Sequence, residues 1–583
     1  MYFVTTELKS GFIVSILKKN SAWEAGPFQA RSIAGTYFVF RAGNHILRLF
    51  IFLFTLLSIC FFTSSLLAAE SVAEPLPLNS GLHPIDWVII AFYAVMTIFL
   101  GWYFSRGQED TSEYFVGSGQ MNPFLIGVSL FATLLSTITY LSTPGEILGK
   151  GPVYLVKDLA MPFIFILVGF FMLPVYMKSR VTSAYELLEE KLGLGIRILG
   201  AVMFLGLRLI WMSLLVYLTA KAITTMLNVG DEWIPYIVMG TGLVAIIYTS
   251  LGGLRAVVIT DLIQTILLFG GALLVIATIT YHLGGFSWFP TQWNSNWDTQ
   301  PFFSTDPATR VTYVGTFLSI LIWYVATLCG DQVSVQRFMS TRDAVAARKS
   351  LAIQLTVSVV VSLTLAMVGF ALLGYFTAFP NEIPAGMELK KDADNFFPHY
   401  IANHLPVGVS GCVISAMFAA AMSSIDSGVN SITAVVMTDF FDRFGIKPKT
   451  ERGHIFSARL LALGIGVIVV LSSSLMGSIP GNITAVTNKT ANLLTTPIFC
   501  LFFFALFVPY ARPAGVLVGA VLGTTTAVLI AFSGPIFVEN YTSDMTDPIS
   551  FQWIAPAAVT VNIASGCLIS YLIASSQKIR TGT

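Results

Sequence analysis

Charge is what this chain has least of. Of 583 residues, 32 are Lys or Arg and 31 are Asp or Glu, 11% in all, where a water-soluble domain carries about 25%. A soluble fold of this length needs several hundred polar groups on its surface, so lipid must solvate much of this one. The two signs nearly cancel at a net +1, which leaves no basic field to attract nucleic acid. Cysteine is also scarce. Cys60, Cys329, Cys412, Cys500 and Cys567 stand singly, with no CxxC or Cys/His cluster, so metal-site and disulfide frameworks drop out. No Walker A loop is present, so any transport must draw on an ion gradient rather than on ATP hydrolysis by this chain. There is no Ser/His, Asp/Asp or His-rich metal pair at matching depth, and the chain does not read as an enzyme.

What is abundant is apolar sequence, 55% of the chain. Runs near the roughly 20 residues that cross a bilayer recur along it. They predict helices at 84–105, 121–142, 159–177, 197–226, 233–251, 254–281, 311–330, 350–378, 405–438, 456–476, 487–509, 514–533 and 555–575, because lipid offers the backbone no hydrogen-bond partner. The class is an all-α polytopic membrane protein with about 13 transmembrane helices. Residues 1–69 form an N-terminal extension whose apolar run, Leu49–Leu67, is either signal-peptide-like or one further membrane helix. With 70–83 outside, the predicted inner loops hold most of the basic residues: Arg106; Lys178, Arg180 and Lys191; Arg255; Arg337, Arg342, Arg348 and Lys349; Arg443, Lys447, Lys449 and Arg452; Arg512; Lys578 and Arg580. The Lys/Arg bias of cytoplasmic loops then predicts a multi-pass protein of the plasma (inner) membrane with a cytoplasmic C-terminus.

Four places carry groups that lipid would not tolerate. In the ninth span, Ala420, Ser423, Ser427 and Asn430 share a narrow face at about 100° per residue, flanked by Ser424 and Asp426. This is hard-oxygen chemistry suited to a small cation, or a small-residue helix contact. Asp261 lies about two turns inside an apolar helix and needs a cation, a donor or a proton; a bond to Arg255 is one solution. The second span, SLFATLLSTITYLSTPGE (129–146), mixes hydroxyls with a Pro144-Gly145 pair. It reads either as a discontinuous helix whose freed carbonyls ligate an ion or as a helix that ends at Pro144. Arg208 stands about 16 Å beyond Arg197 along its helix, paired with an internal carboxylate or with an anionic substrate.

These segments resemble the sodium/solute symporter family. Gly252–Gln264 (GGLRAVVITDLIQ), Asp331–Arg337 (DQVSVQR) with the basic loop after it, and Ala419–Ser431 (AAAMSSIDSGVNS) carry the resemblance, in matching order and separation, from about residue 84 to beyond 500. It implies a LeuT-type 5+5 inverted repeat. The first repeat would be 121–281 and the second 311–509, with 84–105 an extra leading helix and 514–575 C-terminal peripheral helices. The family's sodium site would use backbone carbonyls of Ala132, Leu135 and Ala420 and the hydroxyls of Ser423 and Ser424. A second sodium site, found in some members, would fall on Asp261, Ser423, Asp426 and Ser427. Asp426 replaces the hydroxyl expected there, to bind the ion more strongly or to act as a protonatable group.

The substrate positions depart from the sugar branch. Where sugar-type members carry a Gln and Glu pair, this chain has Thr139 and Ile138; in place of their Asn and gating Tyr it has Tyr324 and Thr327. The resemblance is closer to branches carrying organic anions, sialic acid among them. There Ser136, Thr137 and Thr139 would face the substrate and Arg208 would hold its carboxylate through bidentate contact. The expectation is a sodium-coupled symporter importing a small organic solute, such as sialic acid or a monocarboxylate, by alternating access. Na+ is the coupling ion, no organic cofactor is implied, and the partners are the solute, Na+ and the lipid bilayer. A sodium-coupled sugar or polyol symporter is the alternative within the class; a non-transporting sensor or a sodium-permeable channel is the alternative outside it.

Overall fold

A computed structural model describes residues 82–581, apart from 106–110, 180, 228, 305, 447, 449, 477–482 and 542–546. The expected signal-like or extra helix within 1–69 lies outside the described residues. The described chain is all-α. Eleven helices are long and apolar enough to cross a membrane, and a twelfth span results if one bent pair is counted as a single crossing.

The spans follow the sequence closely. We label them α1 (Pro84–Ser105), the bent pair α2 (Pro123–Leu134) and α3 (Thr137–Gly149), α4 (Pro152–Ser179), α5 (Leu194–Leu227), α6 (Ile234–His282), α7 (Tyr313–Gly330), α8 (Ala344–Ala378), α9 (Val409–Asp442), α10 (Glu451–Ser473), α11 (Ile483–Phe507), α12 (Pro513–Ala531) and α13 (Ile554–Thr581). The spans expected at 233–251 and 254–281 are the two limbs of α6. That helix has 49 residues, about 74 Å at 1.5 Å per residue and far beyond a 30 Å hydrocarbon core. Gly253 divides it, with φ 59° and ψ −171°, a conformation open in practice to glycine alone.

α9 is the innermost helix. In its most apolar window 89% of residues are buried, against 28% for α1 and 22% for the C-terminal span. It packs against both limbs of the bent pair and against α6, α1, α5 and α10. Two partly exposed ionic clusters tie segments together elsewhere. Arg197 is bonded to Asp439 and Glu189, and Arg443 also reaches Glu189; the two guanidinium groups pull the Glu189 carboxyl down to about 2. In the other, Arg310 grips Glu146 and Asp298, and Lys390 reaches Asp298 at 3.6 Å. The loop between α6 and α7 supplies Asp298, and its Trp297 lies against Gly151 just beyond α3.

Candidate functional site

The break between α2 and α3 is made by two extended residues, Leu135 (φ −83°, ψ 113°) and Ser136 (φ −101°, ψ 163°). The limbs meet at 66°. Ser136 starts the second limb as its N-cap, its hydroxyl accepting from Thr139 N–H at 3.3 Å. The break thus falls nine residues before the Pro144-Gly145 pair that suggested it. Pro144 sits inside α3, and the helix runs on to Gly149. The last carbonyls of a helix lack donors of their own. Phe131 O is closed by Leu135 N–H at 2.8 Å, whereas Thr133 O takes the Ser424 hydroxyl at 3.3 Å.

Three contacts fix how α9 crosses this break. Ser424 meets Thr133 O, Thr133 Oγ1 lies 2.9 Å from Ser427 Oγ, and Thr137 Oγ1 donates to Met417 O at 3.1 Å. Residue 133 is matched to 424 and 137 to 417, so the segments run antiparallel and Leu135 falls opposite Ala420. Ala132, Leu135, Ala420, Ser423 and Ser424 are therefore gathered at one crossing. Ala132, Ala420, Ser423 and Ser424 are buried there, and Leu135 faces a cavity. Among the described residues no group of three or more His, Cys, Asp or Glu is placed to hold a metal. The donors at the crossing are hydroxyls and carbonyls, a set suited to a hard alkali cation.

Asp261 stands beside this crossing and is fully buried. Sequence reasoning offered Arg255 as its partner; the structure supplies Arg337, 3.4 Å away and equally buried. Ser129 and Ser423 each donate to Asp261 at 2.5 Å. Arg337 also donates to Ser129 Oγ at 2.8 Å, to Val333 O at 3.1 Å and to Ser427 Oγ at 2.5 Å. Ser427 in turn donates to Asp426 at 3.1 Å. Arg337 was expected in an inner loop. It lies instead on a short helix, Gln332–Met339, whose residues are all buried, because its guanidinium completes the Asp261 network. Asp261, Ser423, Asp426 and Ser427 are together, as expected of a second cation site, but a guanidinium already stands among them.

A cavity of about 130 Å³ opens where the broken helix meets α4, α7, α8 and α11. Leu135, Thr139 and Tyr324 line it, together with Ser142, Thr143, Tyr154, Lys157, Asp158, Trp211, Trp323 and Asn488. Ser136 and Thr137 are not among its lining residues; their hydroxyls are engaged in the cap and in the bond to Met417. A smaller cavity shares Leu134, Trp211, Trp323 and Ala491 with the first and adds Thr327, Arg208 and Asp331. Arg208 is bonded there through Nε and Nη2 to both carboxylate oxygens of Asp331. Of its two expected partners, the structure shows the internal carboxylate.

Lys157 and Asp158 were missed. The apolar run was read from residue 159, which left both charges in a loop. The span begins at Pro152 with a 3-10 segment that carries them inside. Two adjacent charges abutting an apolar run, next to Tyr154, were the available signal.

A broken helix crossed by a row of hydroxyls beside a cavity that holds a few polar groups is the architecture of an ion-coupled membrane transporter. The family model described as "Sodium:solute symporter family" matches residues 114–523, and the chain belongs to that family. It is 28% identical over 503 residues to the sodium/sialic acid symporter NanT of Aliivibrio fischeri, covering 80% of this chain and 96% of that one. It is 28% identical to the sodium/sialic acid symporter SiaT of Proteus mirabilis, over 77% of this chain and 90% of the other. The human sodium-coupled monocarboxylate transporter 1 is 24% identical, with 78% and 74% covered. A solved structure of a Na+-coupled sialic acid symporter, in a substrate-bound outward-open state, superposes with a TM-score of 0.71 at 24% identity, covering 84% of this chain and 98% of that one. The fold is thus of the LeuT type, and the chain is a multi-pass, sodium-coupled symporter of a small organic solute.

Proposed function

We propose that this symporter imports an organic anion of the sialic acid or monocarboxylate kind across the plasma membrane, by alternating access between repeats 121–281 and 311–509. The observation that carries the reading is the antiparallel crossing of α9 over the break, with Ser424 on the freed carbonyl of Thr133. Sodium takes the carbonyls of Ala132, Leu135 and Ala420 and the hydroxyls of Ser423 and Ser424. Bound there, it ties α9 to both limbs of the bent pair. The solute occupies the cavity on the other side of the same break, against Thr139 and Tyr324. Each ligand orders the break for the other, and linkage makes that assistance reciprocal. The organic-anion cargo is supported by the sialic acid and monocarboxylate symporters among the relatives.

Arg208 serves as a second anion contact only when Asp331 releases it. A second sodium at Asp261, Ser423, Asp426 and Ser427 likewise requires Arg337 to withdraw. With the leading helix 84–105 entering from outside and 514–575 peripheral, the C-terminus is cytoplasmic. The test is uptake of labelled sialic acid and L-lactate by the purified protein in sealed vesicles. An inward Na+ gradient should concentrate one of them above the outside level, and an equal K+ gradient should not. Solute that only equilibrates, with or without Na+, is the behaviour of a channel and contradicts the reading.

A further inference from the structure

The arginines buried in this bundle each meet a carboxylate: Arg197 meets Asp439, Arg208 meets Asp331 and Arg337 meets Asp261. The less deeply placed Arg310 and Lys489 do so too. Lys157, at the cavity, does not. It lines the central cavity, yet among the described residues its ammonium makes no hydrogen bond and no ion pair. It stands over the Tyr154 ring, with Nζ 5.0 Å from the centroid. A cation at this depth without a counter-ion is costly, and an aromatic face offsets only about 1–2 kcal/mol of that.

The next residue is left open in the opposite sense. Asp158 also lines the cavity, where the hydroxyl of Ser362 interacts with it, but no hydrogen bond of good geometry closes on its buried Oδ2 among the described residues. The two charges act on each other, but no ion pair closes between them. Neighbours on a 3-10 turn project about 120° apart, yet both line the cavity, so it offers a cationic donor and an anionic acceptor. The other candidate for holding a carboxylate, Arg208, is already bonded to Asp331.

We propose that Lys157 and Asp158 recognise the solute as a pair. Lys157 binds its carboxylate, and Asp158 accepts from a hydroxyl on the adjacent carbon. The substrate class is then the 2-hydroxy acids, which sharpens the organic-anion reading above and rests on it. A plain carboxylate satisfies Lys157 and leaves Asp158 open; a neutral sugar leaves Lys157 open. Burying a polar group unpaired is what gives such a site its discrimination.

The full chain in sealed vesicles would be offered four labelled probes with an inward Na+ gradient: sialic acid, L-lactate, propionate and D-glucose. At least one of the two 2-hydroxy acids should be concentrated, with propionate and glucose at least tenfold poorer. Lys157→Gln should raise the half-saturating concentration of that acid at least tenfold, and Lys157→Arg should restore part of the loss. The thermal shift produced by Na+ alone should match the parent's in both variants, which also establishes that they fold. Parent-like uptake by Lys157→Gln overturns the proposal. Concentration of glucose or propionate as good as that of the hydroxy acids also overturns it, while leaving sodium-driven symport standing. Failure of all four probes to respond to Na+ overturns the organic-anion reading together with the proposal.

Discussion

Two pairs of opposite charge lie close to the break at Leu135–Ser136, and the protein treats them oppositely. Asp261 and Arg337 are closed off: both are fully buried, they meet each other, and Ser129, Ser423 and Ser427 take up further bonds around them. Lys157 and Asp158 are left open, an ammonium against a tyrosine ring and a carboxylate with the Ser362 hydroxyl beside it but no ion pair. Burying charge is tolerable when geometry and hydrogen bonds complete it and costly when they do not. The closed pair therefore reads as architecture for the α9 crossing, and the open pair as a demand that a ligand must meet.

That contrast predicts unequal sensitivity to mutation. The largest effect belongs to Asp261→Asn, which strands Arg337 in the bundle. A buried pair that loses one partner destabilises by about 3–5 kcal/mol, which should appear as a large fall in the thermal unfolding midpoint of the detergent-solubilised protein. A midpoint near the parent's would show that the network is not closed. Thr133→Val should cost less, about 1 kcal/mol, because it removes one buried hydroxyl contact, to Ser427. The smallest effect on stability belongs to Asp158→Asn, within about 0.5 kcal/mol of the parent, since no ion pair closes on it and an amide oxygen still accepts from Ser362. A loss as large as that of Asp261→Asn would erase the distinction between the pairs.

The sequence was most legible where one period governed. Apolar runs located the spans, and α9's row of small and hydroxyl residues, spaced at helical periodicity, emerged as the face that meets the break. It was least legible where tertiary packing decides. Pro144 and Gly145 are the strongest local breakers in their segment, yet the chain breaks at Leu135–Ser136, where Ser136 caps the second limb and α9 supplies Met417 O and the Ser424 hydroxyl on either side. Arg337 looked like one more basic residue of an inner loop because its partner, Asp261, is 76 residues away in sequence. Lys157 and Asp158 were assigned to a loop because a 3-10 start to a span has no apolar signature. The resemblance puts Ser136 and Thr137 at the substrate, but neither lines the cavity: the Ser136 hydroxyl caps α3 and that of Thr137 reaches Met417 O on α9.

The central claim is that sodium binds where α9 crosses the break, and Ser424→Ala tests it most directly. Uptake would be measured against external Na+ at saturating solute, with the parent alongside. Removing one hydroxyl from the cation's shell, a charged-group contact of about 1.5–3 kcal/mol, should raise the half-saturating Na+ concentration tenfold or more, with a change in thermal midpoint without Na+ no larger than that of Thr133→Val. A sodium response identical to the parent's would contradict the account.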